Sequence, residues 1–149
     1  MAPVLALLRT AFAGMEGRID PPSSLHQLTE DGIAAQVRTG EVWVIDEQAC
    51  VFLTPRPDAN PPELYLGKLA VHPNAQRQGL ARALIQLAEQ RARALQLSVL
   101  RLKTRVELVE NQRTFERLGF TKTGTHRHPG FDHPTSFEFS KTVTPKPAD

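Results

Sequence analysis

The sequence predicts a single α/β domain with a mixed, mostly antiparallel sheet flanked by helices. Three observations lead there. The chain has 149 residues, which is room for one compact domain and too few for two. Segments with three- and four-residue apolar spacing take turns with runs of β-branched and aromatic residues. One long amphipathic segment sits between two strand-like runs, the pattern of a right-handed crossover joining parallel strands. At 40% hydrophobic and 23% charged, the composition excludes a disordered chain or a fibre.

Leu5, Leu8 and Phe12, with Leu7, Ala11 and Met15, recur at helical spacing, and Pro21-Pro22 ends that helix. Ser23 or Ser24 is the expected cap of a second helical segment through Leu28, Ile33 and Val37, closed by Gly40. Two strand-like runs, Glu41 to Ile45 and Cys50 to Leu53, flank the polar Asp46-Glu47-Gln48 and read as an antiparallel hairpin. A proline-dense loop from Pro55 to Pro62 follows. Glu63 to Val71 carries apolar side chains on both alternating faces, as an interior strand does, and His72-Pro73-Asn74 stops it. From Gly79 to Leu95 a long helix would bury Leu80, Leu84, Ile85, Ala88, Ala92 and Leu95, with Arg91 and Arg93 on a solvated face. A strand over Ser98–Lys103 and a short helix from about Asn111 to Leu118 come next, with Gly119 as a left-handed cap. Strands near Phe120–His126 and Thr135–Val143 complete a domain expected over residues 1–143, leaving 144–149 as a flexible tail.

Several classes of function drop out. The lone Cys50, in an apolar run, excludes an internal disulfide framework and reads as a small buried hydrophobe. Net charge is only +2, with no interleaved basic and aromatic stretch, so neither nucleic acid nor a membrane is expected as partner. No apolar run approaches the roughly 18 residues of a membrane span. Val4 to Leu8 lacks the basic flank of a signal peptide, so a cytoplasmic protein is expected. His126, His128 and His133 lie in a proline- and glycine-rich segment that reads as a loop between strands, and no metal is expected. That loop could instead border a substrate pocket through His128 or Asp132. His72, before a proline, reads as structural, and Trp43 as core or pocket wall.

The chemistry concentrates in Leu69-Ala70-Val71-His72-Pro73-Asn74-Ala75-Gln76-Arg77-Gln78-Gly79-Leu80-Ala81-Arg82. Here an interior strand runs through a short loop into a long helix. The first N–H groups of a helix lack internal partners and sit at the positive end of its dipole, which suits a phosphate or pyrophosphate. Gly79 and Ala81 keep side chains out of the way, and Arg77 and Arg82 add positive charge. The same residues would also serve a plain strand-to-helix turn. Neither the nucleoside-triphosphate loop nor the dinucleotide glycine pattern is present.

Gln76-x-x-Gly79-x-Ala81, preceded by Leu69-Ala70-Val71-x-Pro73, resembles the acetyl-coenzyme A signature of the GNAT N-acetyltransferases, with alanine for the second glycine. Asn111 followed by Phe115-Glu116-Arg117-Leu118-Gly119-Phe120 resembles the next block of that family, and the likeness spans about Glu41 to Val143. The family's first edge strand is missing or shortened, because the chain opens almost directly into a helix. The resemblance implies that the strand ending at Val71 splays from its neighbour at a bulge, which Gly67 would suit. Pantetheine would insert there against the main chain of Leu69, Ala70 and Val71, with the Leu69 N–H polarising the thioester carbonyl. The amides of Arg77, Gln78, Gly79, Leu80, Ala81 and Arg82 would hold the pyrophosphate, Gln76 would open the loop, and Asn111 and Phe115 would contact the pantetheine arm.

The activity implied is transfer of acetyl from acetyl-coenzyme A to a primary amine of a small molecule or peptide, by direct attack in a ternary complex. A homodimer is compatible with it. A lysine-like amine is free base in only about one molecule in a few thousand at pH 7, so a proton acceptor is needed. The family's carboxylate position falls on Tyr65, with Glu63 two residues earlier on the same face, and Glu63 is the first candidate for base and Tyr65 the second. Phe115 replaces a tyrosine that protonates the departing thiolate in many relatives. Water, or Tyr65 from another strand, would have to protonate it, or the thiolate leaves unassisted. The alternative is a catalytically silent coenzyme A-binding or regulatory domain.

Overall fold

A computed structural model describes residues 2–15, 17–23 and 27–144. Helix α1 spans Ala2–Phe12 and continues as a 3-10 turn over Ala13–Met15; α2 spans Glu30–Thr39. Among the described residues no strand precedes α1, as the sequence leads one to expect. The cap of α2 differs from expectation. Thr29 Oγ1 accepts the Gly32 N–H at 3.1 Å, so the helix starts well after Ser23, and Ser24 lies outside the described residues. Gly40 closes α2 through its N–H to Gln36 O, and a Cβ there would collide with the Leu53 carbonyl oxygen.

The six strands are β1 (Glu41–Ile45), β2 (Ala49–Arg56), β3 (Glu63–Val71), β4 (Val99–Arg105), β5 (Thr121–His126) and β6 (Ser136–Thr142). Their order across the sheet is β1-β2-β3-β4-β6-β5. Only β3 and β4 are parallel; they are joined through α3 (Leu80–Ala94). The β1–β2 turn closes with the Gln48 N–H donating to Ile45 O at 2.8 Å.

The sheet separates two apolar cores. On one face Ala49, Val51, Leu53, Leu64, Leu66, Leu100 and Leu102 pack against Leu84, Ile85, Ala88 and Ala92 of α3. On the other, Cys50, Phe52 and Ala70 meet Leu5, Leu7 and Leu8 of α1 and Ile33 of α2. Cys50 is fully buried, and burial pushes its thiol up to about 11, so it stays an unreactive thiol at neutral pH.

Outside this frame three expectations shift. Leu95 is 37% exposed, because α3 ends at Ala94 and the helical spacing ends with it. Arg91 is not on a solvated face: its Nε and Nη2 both lie 2.8 Å from the Glu41 carboxylate on β1. Arg93 is likewise held, by Glu89 and the Thr144 carbonyl. Trp43 is exposed at 39% on β1 rather than in a core or pocket wall, its Nε1 donating to Glu41.

Helix α4 (Val109–Arg117) ends at Gly119, whose φ of 98° allows two closing bonds: Phe120 N–H to Phe115 O and Gly119 N–H to Glu116 O, both 3.0 Å. Residues 145–149, most of the expected tail, lie outside the described residues.

Candidate active site

Gly67 is where the sheet opens. In the β2–β3 ladder Phe52 pairs with Lys68 and Leu53 with Leu66, which leaves Gly67 as an extra, unpaired residue. The bulge reverses which residues face which core. Leu64 and Leu66 face the α3 side before it, Leu69 and Val71 after it; Lys68 and Ala70 take the α1 side with Glu63 and Tyr65. The β3–β4 pairing stops at the same place, with Leu66 opposite Leu102 as its last rung. Beyond it β3 stays with β2 and β4 with β6, so a wedge opens between two parallel strands.

The free edge of β3 can be read from the ladder. His72 N–H donates to Gln48 O, and hydrogen-bonded pairs alternate along antiparallel strands. Ala70 and Lys68 therefore bond to β2, while Leu69 and Val71 aim N–H and C=O toward the wedge. A cavity of about 290 Å³ fills it, lined from β3 by Tyr65 to Leu69 and from β4 by Leu102 to Arg105. Leu108, Asn111 and Phe115 close the α4 side, and Phe12, Met15, His126 and His128 the α1 side. Asn111 and Phe115 thus come to the same cavity as Leu69, with Phe115 braced edge-on by Phe120 at 5.7 Å.

Past the cavity, Val71 leads into the loop before α3. His72 is structural, its Nδ1 accepting the Asn74 N–H at 3.1 Å. Arg77 and Gly79 both adopt the left-handed region, at φ 68° and 79°, and Gln76 to Gly79 are exposed. Gly79 is the N-cap of α3, no side chain caps the helix, and its first turn carries no acidic residue. The N–H groups of Leu80, Ala81 and Arg82 have no side-chain cap at the positive end of a 15-residue helix. A Cβ on Gly79 would meet nothing within 4 Å, so backbone conformation selects the glycine.

The two candidate bases part company. Glu63 does not line the cavity. Its Oε1 accepts Arg101 Nε at 2.9 Å and its Oε2 pairs with Nη1 of the exposed Arg56 at 3.3 Å, so both oxygens of this buried carboxylate are committed to guanidinium groups. Tyr65 does line it, with the Arg56 guanidinium 4.0 Å from its ring centre. Burial pushes the Tyr65 hydroxyl up, Arg56 opposing, so it keeps its proton at neutral pH and is a donor rather than a base.

His128 stands across the wedge. Burial first, then the positive charges of Arg105, His126 and Lys103, pull it below the usual histidine value, with Glu107 opposing. The ring is therefore neutral at pH 7. Thr135 Oγ1 donates to the His126 carbonyl oxygen at 3.3 Å and accepts the His128 backbone N–H at 3.0 Å. It also contacts His128 Nδ1; with the Thr135 proton on the His126 carbonyl oxygen, Nδ1 carries the ring hydrogen and Nε2 is the acceptor. Asp132 stays out on the loop, paired with His133 at 3.0 Å.

Sequence reasoning missed Lys68, Thr104 and Arg105. The Thr104 hydroxyl is buried on the cavity wall without a hydrogen-bond partner. Lys68 is half-buried, and burial lowers its ammonium. Alternation of Thr104 and Arg105 with Leu102 was the available signal, but polar side chains there read as the end of a strand.

The chain matches a family model described as the acetyltransferase (GNAT) family over residues 8–120. No curated protein matches it in sequence. Among solved structures it is similar to PaiA N-acetyltransferase from Thermoplasma acidophilum in complex with coenzyme A, with a TM-score of 0.74 and 14% identity over 95% of this chain and 91% of that one. It is also similar to the ribosomal-protein-S18-alanine N-acetyltransferase from Escherichia coli, with a TM-score of 0.63 and 21% identity over 92% and 88%. Nourseothricin acetyltransferase gives 0.59 and 21%, and there the match covers 65% of this chain and only 58% of that one. At such identities these likenesses speak for the fold, whereas the family match spans well over half the sequence. With the wedge, the bulge and the uncapped α3 terminus in the order that the motifs require, the chain belongs to the GNAT acetyltransferase family.

Proposed function

We propose that the protein transfers the acetyl group of acetyl-coenzyme A to a primary amine, with both substrates bound together. The observation that carries this reading is the free edge of β3 beside the wedge, continuous with the unsatisfied amides at the start of α3. An unpaired strand edge matches the amide groups of a pantetheine arm, and free helix N–H groups match a pyrophosphate. Leu69 and Val71 would pair with the arm, Ala70 holding the strand to β2. Arg77, Gln78, Gly79, Leu80, Ala81 and Arg82 would surround the phosphates, with Gln76 at the loop entrance. Asn111 and the orphan Thr104 hydroxyl would bond the arm from the other wall, against the Phe115 ring.

The amine nitrogen displaces the thiol at the acetyl carbonyl. The Leu69 N–H donates to that carbonyl oxygen, where negative charge develops. His128 Nε2 takes the proton that the amine must lose, a task for which Glu63, bound to two arginines, is poorly placed. Tyr65 donates toward the departing sulfur, in the role that Phe115 has no proton to fill. A thiolate of ordinary pKa near 8.5 is a fair leaving group, so this last contribution is modest.

A competing reading, a coenzyme A-binding domain without catalysis, draws on Phe115. Calorimetry with coenzyme A, followed by an amine panel monitored for free thiol, separates the two. Binding with thiol release only when amine is present is the expected result. Binding without release on any amine favours the silent domain, and no binding removes both.

A further inference from the structure

The acceptor end of the cavity is unevenly charged. Leu102 packs into the α3-side core, so its neighbours Lys103 and Arg105 on β4 turn to the α1 face, where Tyr65 and Lys68 lie on β3. Lys68, Lys103 and Arg105 all line the cavity, and among the described residues no carboxylate does. The Arg105 guanidinium is held by two neutral groups, the carbonyl oxygens of Pro21 and Pro22, which fix its direction without cancelling its charge. The Lys68 ammonium lies 6.0 Å from the Phe52 ring and near the buried Cys50 thiol, with no carboxylate paired to it among the described residues.

The nearby acids stand behind the cavity wall rather than on it. Glu138, opposite Lys103 across the β4–β6 ladder, pairs with Arg101 at 3.3 Å. Glu107 accepts the Asp20 N–H at 3.0 Å through Oε2, while its Oε1 is buried without a partner among the described residues; its charge and that of Asp20 act on Arg105 from outside the cavity lining. The phosphates of the co-substrate do not account for this charge either, because the residues proposed to hold them, at the start of α3, lie outside the cavity lining.

We propose that the acceptor is a small primary amine that also carries an anionic group, which Arg105 and Lys103 bind while the amine faces the thioester. This rests on the acetyltransferase reading and names its second substrate. A simple alkylammonium would enter against three positive charges. An amine with a carboxylate or phosphate a few bonds away gains a charge-assisted hydrogen bond to a fixed guanidinium. The same cations favour loss of the ammonium proton, so one arrangement both selects and activates the acceptor.

The test compares matched acceptors by free-thiol release: β-alanine against β-alaninamide, and phosphoethanolamine against ethanolamine. At least one anionic member should exceed its neutral partner about tenfold or more in kcat/KM, and which one does so tells carboxylate from phosphate. Arg105→Gln should reduce that preference mainly through KM. Lys103→Gln, at an exposed position, should do the same to a smaller degree and guards against a folding defect at Arg105. Neutral partners turned over as well as anionic ones would overturn the proposal. So would failure of every anionic acceptor in a protein that binds coenzyme A. Failure to bind coenzyme A itself would instead overturn the acetyltransferase reading beneath it.

Discussion

His128 draws its proposed role from its neighbours. Burial opposes its protonation most, Arg105 and Lys103 on β4 and His126 on β5 add to that, and Glu107 favours it. Its pKa therefore lies below the usual 6.5, and it accepts a proton only while neutral, above that lowered value. The kcat/KM profile should thus fall on the acid side with a midpoint below 6.5. In His128→Gln that limb should vanish and the rate drop, and in Arg105→Gln the midpoint should move up as repulsion is relieved. A limb unchanged in both variants would dismiss His128 as the base. Gly79 has a different kind of constraint. Its φ of 79° is costly for any side chain, yet a Cβ there meets nothing, so Gly79→Leu should cost only about 1–2 kcal/mol in denaturant unfolding. Coenzyme A affinity by calorimetry should fall at least tenfold, because the added side chain occupies the approach to the amides. Equal affinity would mean that the phosphates bind elsewhere.

Among the elements, β3 shows most clearly what the sequence discloses and what it conceals. Its interior position could be read from apolar side chains on both faces, and the bulge at Gly67 from the family resemblance. Gly119 at the end of α4 was equally plain, because a left-handed cap leaves a mark in the residue type. The far part of β4 was not. Lys103, Thr104 and Arg105 face a cavity rather than a core, and polar residues facing a ligand are indistinguishable in sequence from a loop. Glu63 illustrates the opposite problem: a carboxylate two residues before the family's position on the same strand face, whose partners Arg56 and Arg101 are 7 and 38 residues distant and leave no local trace. Arg91 of α3 and Glu41 of β1 also meet across a long separation, with two 2.8 Å contacts. The hydrogen bond from Arg91 holds the Glu41 carboxyl below the usual range. That contribution to stability is complete above the unfolded-state value and is lost as pH falls through the lowered one. Glu41→Gln should therefore cost about 1 kcal/mol at pH 7, with the deficit shrinking in acid. A deficit that does not change with pH would assign it to packing instead.

For the molecule as a whole, two apolar cores hold the sheet from opposite faces, while its centre lacks rungs beyond Leu66 and Leu102. Saturation with coenzyme A at a hundred times its Kd should raise stability by about 2.7 kcal/mol, visible as a higher melting temperature. An unmoved transition would contradict binding. The helices, the strands along the chain and the crossover through α3 followed from periodicity, but the order of strands across the sheet did not, nor did the face that would receive the acceptor, since that depends on a parity change at one residue. The missing rungs have a further consequence. If a metabolite completes the hydrogen bonding of Leu69 and Val71, those two amides should exchange with deuterated water quickly in the apo protein and slowly once it is bound. Ala70, tied to β2 throughout, should be protected in both states. The small molecule then serves as a borrowed strand, and the survival of this chain against proteases would rise and fall with the supply of the compound it consumes.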